Sequence, residues 1–153
     1  MNKFKYLLSN PGKFHHPEVA KVLHENEKLT KLVCGTLWFK LKDKKVPKHL
    51  IDTNFFFNVL RYFTPNSNKF KFVHDYLNIL NAKKIDYQSS KFINDADIFL
   101  SLSTTGLETG KLMKKHNKIY ICERSSSHIV FQNKILEEEH KNLGLDYTSI
   151  NKW

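Results

Sequence analysis

Glu123-Arg124-Ser125-Ser126-Ser127-His128 sets a carboxylate, a guanidinium, a run of hydroxyls and an imidazole in consecutive positions. That density of hydrogen-bonding groups suits a polyhydroxylated or phosphorylated ligand. Glu123 can accept from a sugar hydroxyl. Arg124 can fork onto a phosphate or hold Glu123, and His128 can shuttle a proton or cap a helix. Arg61 and Arg124 are the only arginines in the chain, so finding one here carries information. The plainer alternative is a serine-rich helix start with a surface Glu–Arg pair.

Ser9-Asn10-Pro11-Gly12-Lys13-Phe14-His15-His16 is the second candidate. Gly12 lets a ligand approach the backbone closely, and Lys13 adds a cation beside it. A helix beginning just beyond would offer free N–H groups and a partial positive charge. A single glycine is too few for a dinucleotide fingerprint. His15 and His16 are adjacent, so they should point in different directions and make a poor metal pair; no metal is expected. Ser103 to Leu112 imitates a phosphate loop, but Gly106 and Gly110 are too close together and Leu112 stands where a hydroxyl is required. Its hydroxyls read as helix caps.

These turns need elements to hold them. Phe4 to Leu8 reads as a strand ended by turn residues. Pro17 onward reads as a helix with Val19, Ala20, Val22 and Leu23 on one face, and Leu29 to Phe39 as a second strand. The lysine-rich run from Lys40 to His49 contains Pro47 and reads as a basic surface loop. Leu50 to Phe63 and Lys69 to Asn81 suit amphipathic helices, the second with a stripe of Phe70, Val73, Leu77 and Leu80 and Ser67 as N-cap. Asp97 to Leu102 and Ile119 to Cys122 read as strands. Leu107 to His116 reads as a helix with Leu112 and Met113 inward, and Ile129 to Leu143 as a helix stopped by Gly144. Strands alternating with helices argue a Rossmann-like, doubly wound and mostly parallel α/β sheet. Ligands of such sheets bind beyond the carboxyl ends of the strands, where the two candidate turns fall.

A chain of 153 residues, 41% of them hydrophobic, can bury a real core and is expected to form one domain. The formal charge of +10 comes almost wholly from lysine. That skew speaks for compositional bias and against a base-reading nucleic-acid binder, which would use arginine. Nucleic acid is therefore not the expected partner. Cys34 and Cys122 make neither a disulfide framework nor a metal set, and each lies in an apolar run that suggests burial. Trp38 and Trp153 read as packing residues, and Glu137-Glu138-Glu139 as a solvated helix face. No segment has the length of a signal peptide core or a membrane span, so a cytoplasmic protein is expected.

The stretch from Ile119 to Ile129, with Gln132, Leu136, Glu138, Glu139 and Gly144 after it, resembles bacterial glycosyltransferases of family 4. Similar members carry a C-E-R-x-S-x-H-like strand end, then a helix with Q-x-x-x-L-x-x-E-E and a closing glycine. The strand from Ala96 to Ser103 and the turn from Ser9 to Gly12 look right as well, although the family more often has two glycines in that turn. The resemblance is specific from about Asp95 to Gly144 and weak between residues 40 and 90. It implies the N-terminal, acceptor-side domain of a retaining GT-B enzyme. The donor, a nucleotide sugar serving as co-substrate, would be held by a separate C-terminal domain. No metal or other cofactor is implied, and the domain alone would be inactive. The positions that carry over are Gly12 with Lys13, and Glu123, Arg124, Ser125, Ser126 and His128. Partners would be a glycan or lipid-linked acceptor in polysaccharide biosynthesis, with the basic loop touching the acceptor or the inner membrane face. A glycan- or phosphate-binding module without catalysis is the alternative.

Overall fold

The computed structural model describes residues 4–12, 14–65, 67–124 and 127–147. Lys13, Ser125, Ser126 and Trp153, each singled out by the sequence, lie outside the described residues. The chain divides into two compact units, Met1–Glu123 and Arg124–Trp153.

The first unit is a Rossmann-like α/β sandwich. Strands β1 (Tyr6–Asn10), β2 (Leu29–Cys34), β3 (Ile51–Thr53), β4 (Ile98–Leu102) and β5 (Ile119–Glu123) form one sheet in the order β3-β2-β1-β4-β5. All neighbouring pairs are parallel. The central strands read as continuous apolar runs because both sheet faces are covered. Successive residues take opposite faces. Leu7, Val33 and Phe99 pack with Ile85 and Met113 on one side. Leu8, Leu32 and Cys34 pack with Ala20, Leu41 and Val46 on the other. The helices are α1 (His16–Glu25), α2 (Phe56–Phe63), α3 (Lys71–Ser90) and α4 (Leu107–Lys115). Helix α1 covers the face of Leu8, while α3 and α4 cover the face of Leu7.

Several elements differ from the sequence reading. Strand β2 stops at Cys34, and Trp38–Lys44 and Lys48–Leu50 are 3₁₀ turns. The basic stretch is more than a surface loop, since Leu41 and Val46 plug the second core while Lys42 and Lys48 ride over the Trp38 ring. Residues 50–63 are a short strand followed by a helix rather than one helix. Helix α3 runs well beyond Asn81, and its burial begins at Leu77: Leu77 and Ile85 are buried, whereas Val73 and the N-cap Phe70 are exposed. Ser67 does not cap it, because the N-cap position is Phe70 and bears no side-chain hydrogen bond. Val22 points away from the α1 contact face and is exposed. Cys122 is exposed as well. Cys34 is buried, and burial pushes its thiol up to about 11, so it stays protonated and inert.

The second unit is built on helix α5 (Ile129–Asn142). Gly144 has φ +67° and turns the chain back, as a helix-ending glycine does. Tyr147 then donates its hydroxyl to Asn133 Oδ1 at 2.8 Å and lays its ring against His140. The acidic run 137–139 is exposed, as expected of a solvated face.

Candidate functional site

The chain leaves β1 through α1 toward β2, and leaves β4 through α4 toward β5. These connections depart in opposite directions and cover opposite faces. The adjacent ends of β1 and β4 therefore form the topological switch point, where open α/β sheets leave a ligand crevice. Asn10 and the turn at Pro11 and Gly12 form one side. Ser101, Leu102 and the turn from Ser103 to Gly106 form the other, and Glu123 ends β5 beside it.

Three titratable side chains converge there. His15 Nε2 lies 2.9 Å and 3.0 Å from the two carboxylate oxygens of Glu123. His16 Nε2 lies 3.5 Å from Glu123 Oε2, an electrostatic contact too long and poorly aligned for a made hydrogen bond. The two imidazole centroids are 4.8 Å apart. The adjacency argument against this pair thus fails. His15 is the N-cap residue and His16 the first helical one, so neither obeys the divergence of mid-helix neighbours. Among the described residues, these three form the one His/Cys/Asp/Glu group able to hold a metal, with ligand atoms within 4.8 Å of one another. Two neutral imidazoles and a carboxylate are the ligand types of a divalent transition metal.

His16 is fully buried, and neither ring nitrogen makes a hydrogen bond in the protein. Burial holds its pKa below the ordinary 6.5. Glu123 pulls it upward and is outweighed, while His15 adds to the lowering. At neutral pH His16 is therefore an uncharged imidazole with a free lone pair, able to accept a proton or ligate. The sign of the stability effect follows. Above pH 6.5 the ring is neutral in both folded and unfolded chains and contributes nothing. Below it the unfolded ring takes a proton first, so stability falls with pH until the depressed folded pKa is reached. We expect resistance to urea to fall as the pH drops below 6.5, by at most about 1.4 kcal/mol per pH unit from this group. His16→Gln should flatten that component relative to wild type. A pH profile unchanged by the substitution would show His16 to be solvated.

Further polar groups on this rim are unspent. Ser9 Oγ, both amide atoms of Asn10 and Asn54 Nδ2 are buried without a hydrogen-bond partner in the protein. Native buried polar groups are nearly always paired, so this set marks a place for ligand or solvent. Helix α1 itself offers little to an anion. Pro17 has no N–H, and the amides of Glu18 and Val19 donate to the His15 carbonyl. Two acids sit at this helix start, Glu18 in its first turn and Glu123 from β5, favourably placed against the dipole. The opposite turn is not a phosphate loop either. The α4 N-terminus is filled by Asp86, whose carboxylate accepts from the amides of Glu108 and Thr109 at 2.8 and 2.9 Å. A buried carboxylate, not the hydroxyls of Ser103 to Thr105, is the cap.

The run from Glu123 to His128 spans the boundary between the two units. Glu123 closes the first unit, and Arg124, Ser127 and His128 belong to the second. His128 takes the capping role: its Nδ1 accepts from Val130 N at 3.4 Å at the start of α5. Arg124 is exposed. Gly12 lies in the turn beyond β1 as expected, half-buried. The sequence reading placed Asn10 in the candidate turn without giving it a role, and missed the pairing of His15 and His16 with Glu123, which has no local signal because 108 residues separate His15 from Glu123.

The fold is that of a Rossmann-like α/β domain, with a candidate site at its switch point. Comparisons with protein families, with curated proteins and with solved structures find no match to this chain.

Proposed function

We propose that this chain is the acceptor-binding half of a retaining, GT-B-type glycosyltransferase. The observation that carries the reading is that the turn after β1 and the end of β5, picked out separately in the sequence, meet at the switch point as His15, His16 and Glu123. A carboxylate half-exposed to the crevice can accept from a sugar hydroxyl and fix its direction. The unpaired Asn10 amide offers both a donor and an acceptor to neighbouring hydroxyls. Glycosyl transfer passes through an oxocarbenium-like state with negative charge growing on the departing phosphate. Stabilising that charge falls to a donor-binding half, while this half holds the attacking hydroxyl against the anomeric carbon on the face the phosphate leaves, as retention requires. Positioning of that kind can supply several kcal/mol.

Saturation-transfer NMR of the purified chain against oligosaccharides, sugar phosphates and nucleotide sugars tests the reading. The expected outcome is binding of saccharide or sugar phosphate, weakened about tenfold by Glu123→Gln, which trades a charged acceptor for a neutral one. Nucleotide sugars should gain nothing from their nucleotide. Tight nucleotide binding indifferent to Glu123 would overturn the assignment. Saccharide binding without transfer when a donor-binding half is supplied would favour a plain binding module.

A further inference from the structure

Beside the crevice lies a second concavity of about 910 Å³, between the turn after β2 and the hairpin of α2 and α3. The two are neighbours through shared polar residues. Asn58 Nδ2 donates to the carbonyls of Gly35 and Pro11 at 2.6 and 3.4 Å, and Asn81 Nδ2 reaches the same Pro11 carbonyl. A β-carbon at Gly35 would collide with that carbonyl and sit 2.7 Å from Asn58 Nδ2, so the close approach of the two turns requires glycine.

The lining has a definite chemistry. Lys40 and Arg61 supply donors, and Phe55, Tyr62 and Phe63 supply apolar walls, while His74 donates its Nε2–H to the Pro65 carbonyl. None of the described lining residues is acidic. Arg61 is one of two arginines in a chain that otherwise uses lysine, and Asn78 Oδ1 holds its guanidinium at 2.8 Å. A held guanidinium is preorganised for a phosphate. Around the mouth, the hairpin exposes side chains that a water-facing helix pair does not need. Tyr62 is 86% exposed, Phe63 78% and Phe72 79%. Phe56, Leu60, Tyr76 and Ile79 are exposed beside them. So many exposed apolar side chains on one helix pair mark an interaction surface. Aromatic rings alone would also suit stacked bases. The aliphatic members Leu60, Val73 and Ile79 offer nothing to a base and everything to an acyl chain.

We infer that this concavity takes the phosphate-bearing head of an anionic lipid, with the α2 and α3 aromatic side chains resting in the lipid's apolar part. Lys40 and Arg61 would meet the phosphate, and Tyr62 and Phe63 would enter the interface. Exposed aromatic residues with flanking cations are what an interfacial element presents. The inference deepens the transferase reading, on which it rests only for the acceptor's role, by giving the acceptor a lipid phosphate. Lipid binding is measurable without sugar, so failure of either idea is distinguishable from failure of the other.

The test is flotation of the full chain with phosphatidylcholine vesicles, with and without phosphatidylglycerol, at physiological salt. Binding is expected only with the anionic lipid. Lys40→Gln with Arg61→Gln should weaken it about thirtyfold, from the usual contribution of two cations at an anionic surface. Tyr62→Ser with Phe63→Ser, both exposed, should weaken it comparably with an unchanged melting temperature. Lys114→Gln with Lys115→Gln, at the far end of α4, removes the same charge and should cost less than about threefold. Equal losses from that control pair would reduce the effect to net charge and overturn the site. So would equal binding to neutral vesicles. Single-stranded RNA that displaces the vesicles and depends on the same four side chains would reassign the surface to nucleic acid. A dimer dissolved by the Tyr62 and Phe63 substitutions would reassign it to self-association. Glycerol phosphate that competes as well as vesicles do would make it a free-phosphate site.

Discussion

Phe99→Ala is expected to cost about 3–5 kcal/mol, the largest single effect on the fold. The ring is wholly buried in β4, between Leu7 of β1 and Tyr120 of β5 in the sheet register. It stacks on Tyr120 with centroids 5.5 Å apart and planes 18° from parallel. Tyr120 in turn packs against Gly110, where a β-carbon would collide with its ring. Gly106, at φ +109°, closes the turn after β4 onto the same place, and a side chain there would meet Phe99 Cε1 at 2.8 Å. Two glycines have thus been used to bring backbone onto these rings, which leaves little freedom to collapse into a void. For a chain of this size, such a loss lowers the melting temperature by about 10 °C or more. Urea unfolding at constant slope measures it. A loss under about 1 kcal/mol would mean the ring is not packed as described. Benzene should restore part of the loss in the variant, since an apolar cavity of this kind stays dry and accepts it.

The α/β alternation was legible because parallel strands covered on both faces are continuous apolar runs. Leu32-Val33-Cys34 and Ile98-Phe99-Leu100 declare themselves in that way. Strand β3 was not legible. Ile51-Asp52-Thr53 is three residues long with a carboxylate in the middle, and it exists because Leu32, Val33 and Cys34 offer it a ladder. A tertiary template, not local preference, makes it a strand. The long α3 was cut short in the sequence reading for a related reason. The start of its apolar stripe, Phe70 and Val73, stays exposed while Leu77 is buried, and its second half buries Asn81, Asp86 and Ser89, polar residues that read as surface. Periodicity reports amphipathicity, and here the apolar face and the buried face overlap only in part along the helix.

The site was legible in position and not in composition. Reading the turns after β1 and β5 as candidates needed only the rule that parallel sheets bind ligands at their carboxyl edge. Which side chains meet there depends on the strand order, and the order is what puts His15 beside Glu123. Arg124 drew attention by its rarity, yet it begins the second unit, and His128 spends its ring nitrogen on capping α5. The hydroxyl-rich turn after β4 looked self-capping for want of any way to see Asp86 across 22 residues of chain.

Asp86→Ala is the second large loss, expected at about 3 kcal/mol. Asp86 projects from the packed half of α3 onto the start of α4, where both carboxylate oxygens accept backbone amides. A third bond runs from Thr109 Oγ1 to the Asp86 carbonyl at 2.8 Å. Alanine leaves two helix-start amides without partners at a site where Asp86 and Thr109 are buried, and removes an acid from the positive end of a helix dipole. Orphaned buried donors cost about 1–3 kcal/mol each, which outweighs the charge desolvation regained. Asp86→Asn keeps one acceptor and turns a donor toward the second amide, so it should recover less than half. Thr109→Val removes the third bond alone at about 1 kcal/mol, and the two losses should not add, because both hold the same pair of helices together. Amide exchange gives the discriminating readout: the Glu108 and Thr109 amides should lose protection in Asp86→Ala well beyond the global change. Uniform loss across the sheet would mean that Asp86 acts through general packing. Selective loss fixes it as the residue that sets where α4 begins, and with it the β4 side of the ligand crevice.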